Sequence, residues 1–128
     1  MVLGTHKLAE DAIGWTSEQV LAHLHACPAS TSSGVLAWFT DLWRQSAPAS
    51  GGPSGCPVAG VAIDTGATTG DLIDAARAAF SSWTALLASQ LQAADVPAHR
   101  AGPIATVTLA GMEGALILCR TERSSSFK

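Results

Sequence analysis

The chain has 128 residues and a mass of 13.0 kDa, enough for one domain with one real core. Hydrophobic residues make up 48% and charged residues only 13%, against roughly 25% charged in an ordinary soluble domain. Too little charge is left to dress a whole monomer surface, which points to a self-association face. The net charge is −3 and no Lys/Arg cluster occurs, so direct nucleic-acid binding, which rests on phosphate neutralisation, is excluded for the chain as given.

The opening residues, MVLGTHKLAED, carry no basic region followed by an apolar stretch, so no signal peptide is expected. Residues 104–119 are apolar but interrupted by Glu113, and they fall short of the ~20 residues that a bilayer span needs. Cys27, Cys56 and Cys119 are odd in number and far apart, which fits reduced thiols in a cytoplasm. A cytoplasmic domain with no membrane partner is the expectation.

Residues 6–26 read as a helix. Leu8, Ala12 and Trp15 line one apolar stripe, and Ile13, Val20, Leu24 and Cys27 line its neighbour. Thr16 and Gln19 have the spacing of a capping box, which predicts a break or kink near residues 14–16. Cys27-Pro28 ends the helix, because a residue before proline is pushed out of the α region. A Ser/Thr-rich connector over 29–34 leads to a second helix over 35–45. There Val35, Leu36, Phe39, Leu42 and Trp43 fall at amphipathic spacing, and Trp38 broadens the apolar face.

Residues 47–55, APASGGPSG, are the clearest loop. Pro57 suits a first helical position, so CPVAGVAID is read as a short buried helix over 57–63 rather than a lone strand. Thr68 and Asp71 form a second capping-box pair. The long helix that follows runs to about residue 94, with Leu72, Ala76, Phe80 or Ala79, Trp83, Leu87 and Leu91 as its core stripe. Asp95-Val96-Pro97 closes it. The last helix starts after Gly102 with Pro103 at its first position, or a turn earlier from Pro97.

That last helix contains ATVTLAGMEGALILCR (105–120) and has no clean polar face. Ile104, Val107, Thr108, Gly111, Ala115 and Leu118 share one face, and Ala105, Leu109, Met112, Leu116 and Cys119 share a second. The third places Ala110 and Ile117 beside Glu113 and Arg120. Such a helix must be buried on nearly all sides, and a second copy of the same helix is the economical cover. Gly111 and Gly114 would admit close approach of another backbone, at roughly 1 kcal/mol each in helix propensity. The architecture is thus all-α, with about five helices ending in a long antiparallel pair. One domain spans 1–128, and residues 122–128 form a polar frayed tail.

Chemistry is not supported. His23, His25 and Cys27 lie at i, i+2 and i+4 and do not converge on one point, so solvated histidines at a helix end are expected rather than a metal site. Cys56 precedes a helix start, where a thiol pKa can fall, but no resolving cysteine sits nearby and a packed thiol is preferred. Glu113 needs a partner in its apolar helix, or its pKa rises; a structural role is expected, with a basic residue of another subunit within reach. Trp15, Trp38, Phe39, Trp43, Phe80 and Trp83 read as core, and some of them could also line an apolar cavity. No nucleophile–base pair, phosphate loop, metal motif or cofactor motif occurs, so no enzyme is expected.

Three stretches carry a family resemblance: GCPVA at 55–59, AFSSW at 79–83 with Leu86, Leu87 and Leu91, and Glu113-Gly114-Ala115-Leu116 through Arg120. Over roughly residues 7–123 the chain resembles the C-terminal regulatory domain of TetR-family transcriptional repressors, in particular the LmrA/YxaF-like branch. The resemblance implies a homodimer whose last two helices form a four-helix bundle with the partner's, and a pocket for a small apolar effector. Members of the branch are known as regulators of drug-resistance or efflux-type genes, some responding to flavonoid-like compounds. On this reading the effector site comprises Phe39, Trp43, Cys56, Val61, Phe80 and Trp83. The dimer seam comprises Leu87, Leu91, Leu109, Met112, Glu113, Ala115, Leu116 and Arg120.

The family's helix-turn-helix head is not found in this sequence, which is expected of a fragment, of a start assigned too late or of a natural headless protein. Residues 5–12, THKLAEDA, resemble the junction with it, and without it operator DNA is not expected to bind. Gly102-Pro103 is a second departure, at the start of the last helix. The expected function is effector sensing and dimerisation for a repressor. The alternative is a headless interaction protein that heterodimerises with full-length relatives through the same seam.

Overall fold

The computed structural model describes residues 2–46, 56–63 and 70–122. They form five α-helices and no strand: α1 Val2–His25, α2 Ser32–Ser46, α3 Pro57–Ile63, α4 Gly70–Ala93 and α5 Ala98–Thr121. The expected bounds of α3 are met and those of α4 nearly so. Its cap residue Thr68, the 47–55 loop and residues 123–128 lie outside the described residues.

α4 is the central element, packed against each of the other four helices. Its stripe of Leu72, Ala76, Ala79, Trp83, Leu87 and Leu91 is buried. Ala79, not Phe80, completes that stripe. Two hydrogen bonds fix α1 across it. The indole Nε1 of Trp83 donates to Ser17 Oγ at 3.2 Å, and Gln90 Nε2 donates to the Leu24 carbonyl at 2.7 Å. The Leu24 carbonyl, at the end of α1, also accepts from the Cys27 N–H at 3.1 Å.

α1 runs unbroken through the expected kink at residues 14–16. Thr16 continues the helix rather than capping a new one, because Ile13 and Val20 on either side are both buried against the core. Only one of the two expected α1 stripes is buried. Ile13, Val20 and Leu24 face inward, while Leu8 and Trp15 are exposed.

α2 starts three residues before the expected residue 35 because Thr31 caps it. The Thr31 Oγ1 accepts from the Gly34 N–H at 3.1 Å, and its carbonyl accepts from Val35 N–H at 2.9 Å. A side chain at Gly34 would come within 2.8 Å of the Ala29 Cβ, so only glycine lets the connector fold this tightly onto the helix start. Trp38 does not broaden the apolar face of α2. It stacks on His23 with ring centroids 4.6 Å apart, and its Nε1 donates to the His23 carbonyl while His23 Nε2 donates to the Trp38 carbonyl, each at 2.6 Å. His23 is therefore a clasp between α1 and α2 and not a solvated histidine.

Helices α4 and α5 are joined by residues 94–97 and pack together. The Val96 N–H reaches back to the Leu91 carbonyl at 2.9 Å and the Asp95 N–H to Gln92 at 3.0 Å, the two bonds of a Schellman ending. Asp95 takes the left-handed conformation of that motif, φ 73°. The Pro97 carbonyl then accepts from Arg100 and Ala101, so α5 begins at Ala98 and Pro103 lies inside it. The sequence left this start open, and burial decides it. Ala101 and Ala105, one turn apart, are both fully buried, while Pro103 and His99, whose carbonyl loses its helical donor, are on the exposed side.

At Asp95 a glycine removes the left-handed penalty while keeping both turn hydrogen bonds. Asp95→Gly is expected to stabilise the fold by roughly 0.5–1 kcal/mol, raising Tm by ~2–4 °C for a chain of this size. Thermal unfolding followed by circular dichroism checks this.

Candidate functional site

Four aromatic rings run through the core in series. Phe39 and Trp43 of α2 lie 4.7 Å apart, Trp43 meets Trp83 edge-on at 6.1 Å, and Trp83 meets Phe80 edge-on at 5.3 Å. Edge-to-face pairs of this kind add to the burial of the rings themselves. Phe39, Trp43 and Trp83 are buried, whereas Phe80 is half-buried and ends the series at a cavity. Three of the rings expected to line an effector pocket are therefore packed into the core. Val61 packs against the same core.

The cavity lies one layer further out. It is a groove of about 570 Å³ lined by α3, by the first half of α4 and by the second half of α5. Ala59, Ile73, Ala76, Phe80, Leu109, Ala110 and Ile117 make it mainly apolar, and Arg77, Ser81, Thr84, Thr106 and Glu113 complete it. Its volume is in the range of small-molecule sites. Arg77 is engaged at 2.7 Å by Asp74, and Thr84 Oγ1 donates to the Phe80 and Ser81 carbonyls. Phe80 alone of the expected effector residues lines the groove. The others that line it are mostly small or β-branched and carry no chemical signature. The signal that could have found them is the placing of the small Ala76 and Ser81 on α4 and of Thr106 and Ala110, one helical turn apart, on α5.

Glu113 joins the groove to the core. Its carboxyl is hydrogen-bonded to the Cys56 thiol and to Trp43, whose indole N–H can only donate. Burial raises its pKa above the ordinary 4.5, partly offset by those two bonds. Its Oε2 is buried and has no partner among the described residues, a costly state for a carboxyl oxygen. Cys56 caps α3: its carbonyl accepts from the Gly60 N–H at 3.0 Å, and its sulfur from the Val58 and Ala59 N–H groups. Burial, and then the negative charge of Glu113, push the thiol up to about 12. Desolvation outweighs the helix start that could have activated it, which supports the reading of Cys56 as a packed thiol.

The expected seam residues divide. Leu87 and Leu91 are fully buried within the protomer, and Leu109 and Leu116 nearly so, all facing its own core. Met112 and Glu113 are half-buried and Ala115 is exposed. The Arg120 side chain lies outside the described residues. The unpartnered surface of α5 is instead Val107, Ala110, Gly111, Ala115, Ile117 and Leu118. Val107 is 70% and Leu118 57% exposed. α5 is also, by length and composition, apolar enough to cross a membrane. The length argument against a span therefore fails, because the helix starts at Ala98 and not after Gly102. Among the described residues no group of His, Cys, Asp and Glu could hold a metal ion.

At pH 8 iodoacetamide is expected to modify Cys56 in the folded chain at least tenfold more slowly than free cysteine, read by peptide mass spectrometry. The raised Glu113 pKa also fixes a sign. Below pH 4.5 the carboxyl is protonated folded or unfolded and imposes no penalty. As pH rises through the folded value, the fold must hold a buried charge and loses stability. Urea unfolding of the wild type relative to Glu113→Gln is expected to show that loss setting in above pH 4.5, then a plateau once the folded carboxyl is ionised.

Residues 33–127 match the family described as transcriptional regulator LmrA/YxaF-like, C-terminal domain. Two uncharacterized HTH-type transcriptional regulators of Mycobacterium tuberculosis, of strains CDC 1551 / Oshkosh and H37Rv, are each 27% identical to the chain over 125 residues. The alignments cover 94% of the chain but only 63% of each relative. No solved structure matches. The family match runs from the first turn of α2 through the whole of α5, taking in the groove and the exposed α5 face, and the chain belongs to the TetR-type transcriptional regulators as their LmrA/YxaF-like C-terminal domain.

Proposed function

We propose that this domain dimerises its regulator and senses a small apolar effector, with operator binding left to a helix-turn-helix segment such as the relatives' names imply. The observation that carries the reading is the exposed apolar face of α5. Val107 and Leu118 stand in solvent there beside Gly111 and Ala115, on a helix whose opposite stripe is already buried. A ridge with so small a centre lets a second helix approach closely, and a two-fold axis presents the same ridge twice. The early-α4 and late-α5 lining of the groove supports an antiparallel α4–α5 pair, and two such pairs make a four-helix bundle. The seam is then drawn on Val107, Gly111, Ala115 and Leu118, with Met112 and Glu113 at its edge.

Sensing is assigned to the groove rather than to the filled aromatic core. A ligand there touches α3, α4 and α5 together. It can shift the dimer only by as much as it prefers one arrangement of those helices to another. The reading assigns the domain no catalytic step, and it places the regulator in the cytoplasm.

Sedimentation equilibrium of the purified chain is expected to give a dimer of ~26 kDa, twice the chain mass. Ala115→Arg is expected to give monomers or insoluble protein. A well-folded wild-type monomer, or a dimer that survives Ala115→Arg, would overturn the seam. Recovery of the chain only with detergent would favour a membrane role for α5.

A further inference from the structure

Glu113 lines the groove, and one of its carboxyl oxygens is buried and left unsatisfied by the fold. Two other polar side chains there are engaged: Arg77 with Asp74, and Thr84 with the carbonyls of its own helix. Glu113 lines the groove, holds Cys56 and Trp43, and still has Oε2 buried without a partner. The last torsion of a glutamate is broad, so a small swing presents that oxygen to a molecule in the groove. Water meets it poorly, because the surrounding wall of Ala59, Ala76, Leu109 and Ala110 is apolar. A carboxyl already desolvated and short of a partner gains from a charged donor without a second desolvation of its own.

We infer that the groove takes a hydrophobic molecule carrying one basic amine, its apolar body against Phe80 and the wall and its ammonium on Glu113. The inference rests on the effector-sensing reading and names the chemical class of the effector. A carboxylate ligand is disfavoured, since it would bring a second negative charge to the same buried oxygen. A neutral alcohol can donate to Glu113 but brings no charge. The volume of about 570 Å³ suits a two-ring body.

The test uses three probes on one frame: 4-phenylbenzylamine, biphenyl-4-methanol and biphenyl-4-carboxylate, titrated calorimetrically into the full chain at pH 8. The amine is expected to bind at least tenfold more tightly than the alcohol, with the carboxylate weakest. In Glu113→Gln the amine and the alcohol are expected to bind alike. Thr106→Trp, an exposed position on the groove wall, is expected to abolish binding of all three while the circular dichroism spectrum stays that of wild type. Equal binding of the three probes, lost in Thr106→Trp, would overturn the amine assignment and leave the groove as an effector site. Amine preference that persists in Glu113→Gln would overturn the role of the carboxyl. No binding of any probe to wild type would overturn both this inference and the sensing reading. Conversion of dimer to monomer by Thr106→Trp would make the groove a subunit contact and overturn the inference alone.

Discussion

A helix that is apolar around its whole circumference cannot be satisfied by one neighbour, and α5 is such a helix. Its own chain can reach only one side. Ala101, Ala105, Leu109 and Leu116 supply that side, and they are small at the turn and larger beyond it, so α5 lies close to α4 where the two join. The tight Schellman ending at Asp95 and the Pro97 carbonyl fix that approach. The helix accepts a proline at position 103 because starting it at Ala98 buries Ala101 as well as Ala105. What remains uncovered, including Val107, Gly111, Ala115 and Leu118, is an exposed apolar face. Each apolar side chain there left in water forgoes about 1.5–3 kcal/mol of burial, and burial of that face is the main free energy available to an assembly.

The aromatic series is the second constraint, and it decides where a ligand can and cannot go. Trp83 is buried on α4 and braces Trp43 and Phe80, while Phe39 closes the far end. Indole and phenyl rings occupy the centre of the described core. The gap appears where α4 and α5 present alanine, serine and threonine toward each other. Glu113 stands at the boundary of the two regions, bonded inward to Trp43 and Cys56 and lining the groove outward.

Much of this was legible in the sequence, and the part that was not has a common physical cause. Elements defined by local chemistry were read well: α3 from its leading proline, the α4 stripe from its period, the all-α class from the absence of strand patterns. The ambiguous α5 start and the imagined α1 kink turn on tertiary burial, which local signals cannot weigh. Periodicity likewise finds apolar stripes without saying which is covered. The Leu8 and Trp15 stripe and the Ile13, Val20 and Leu24 stripe looked equivalent, and only α4 distinguishes them. The same ambiguity placed Leu87 and Leu91 on a seam. Of the residues expected at an effector site only Phe80 lines the groove, whose wall is made largely by small residues that carry no signal in the sequence. His23 was misread because its partner, Trp38, is distant in sequence.

The single carboxyl at position 113 ties these features together mechanically. It is anchored to α5, and its hydrogen bonds reach the Cys56 cap of α3 and the indole of α2. Any group that draws its oxygen toward the groove must loosen or redirect those bonds, so occupancy is felt at the start of α3 and at Trp43 as well as at α5. Because α5 carries the groove on one flank and the unpartnered ridge on another, a rotation of α5 by a fraction of a turn moves both at once. Packed interiors respond to such shifts by repacking as units rather than by yielding continuously. On the proposed reading, α3 with its Cys56 cap is the element that links a bound molecule to the geometry of the dimer. The raised Cys56 pKa has a purpose in that arrangement: a thiol that stays protonated keeps donating to Glu113 in the pH range where a thiolate would repel it.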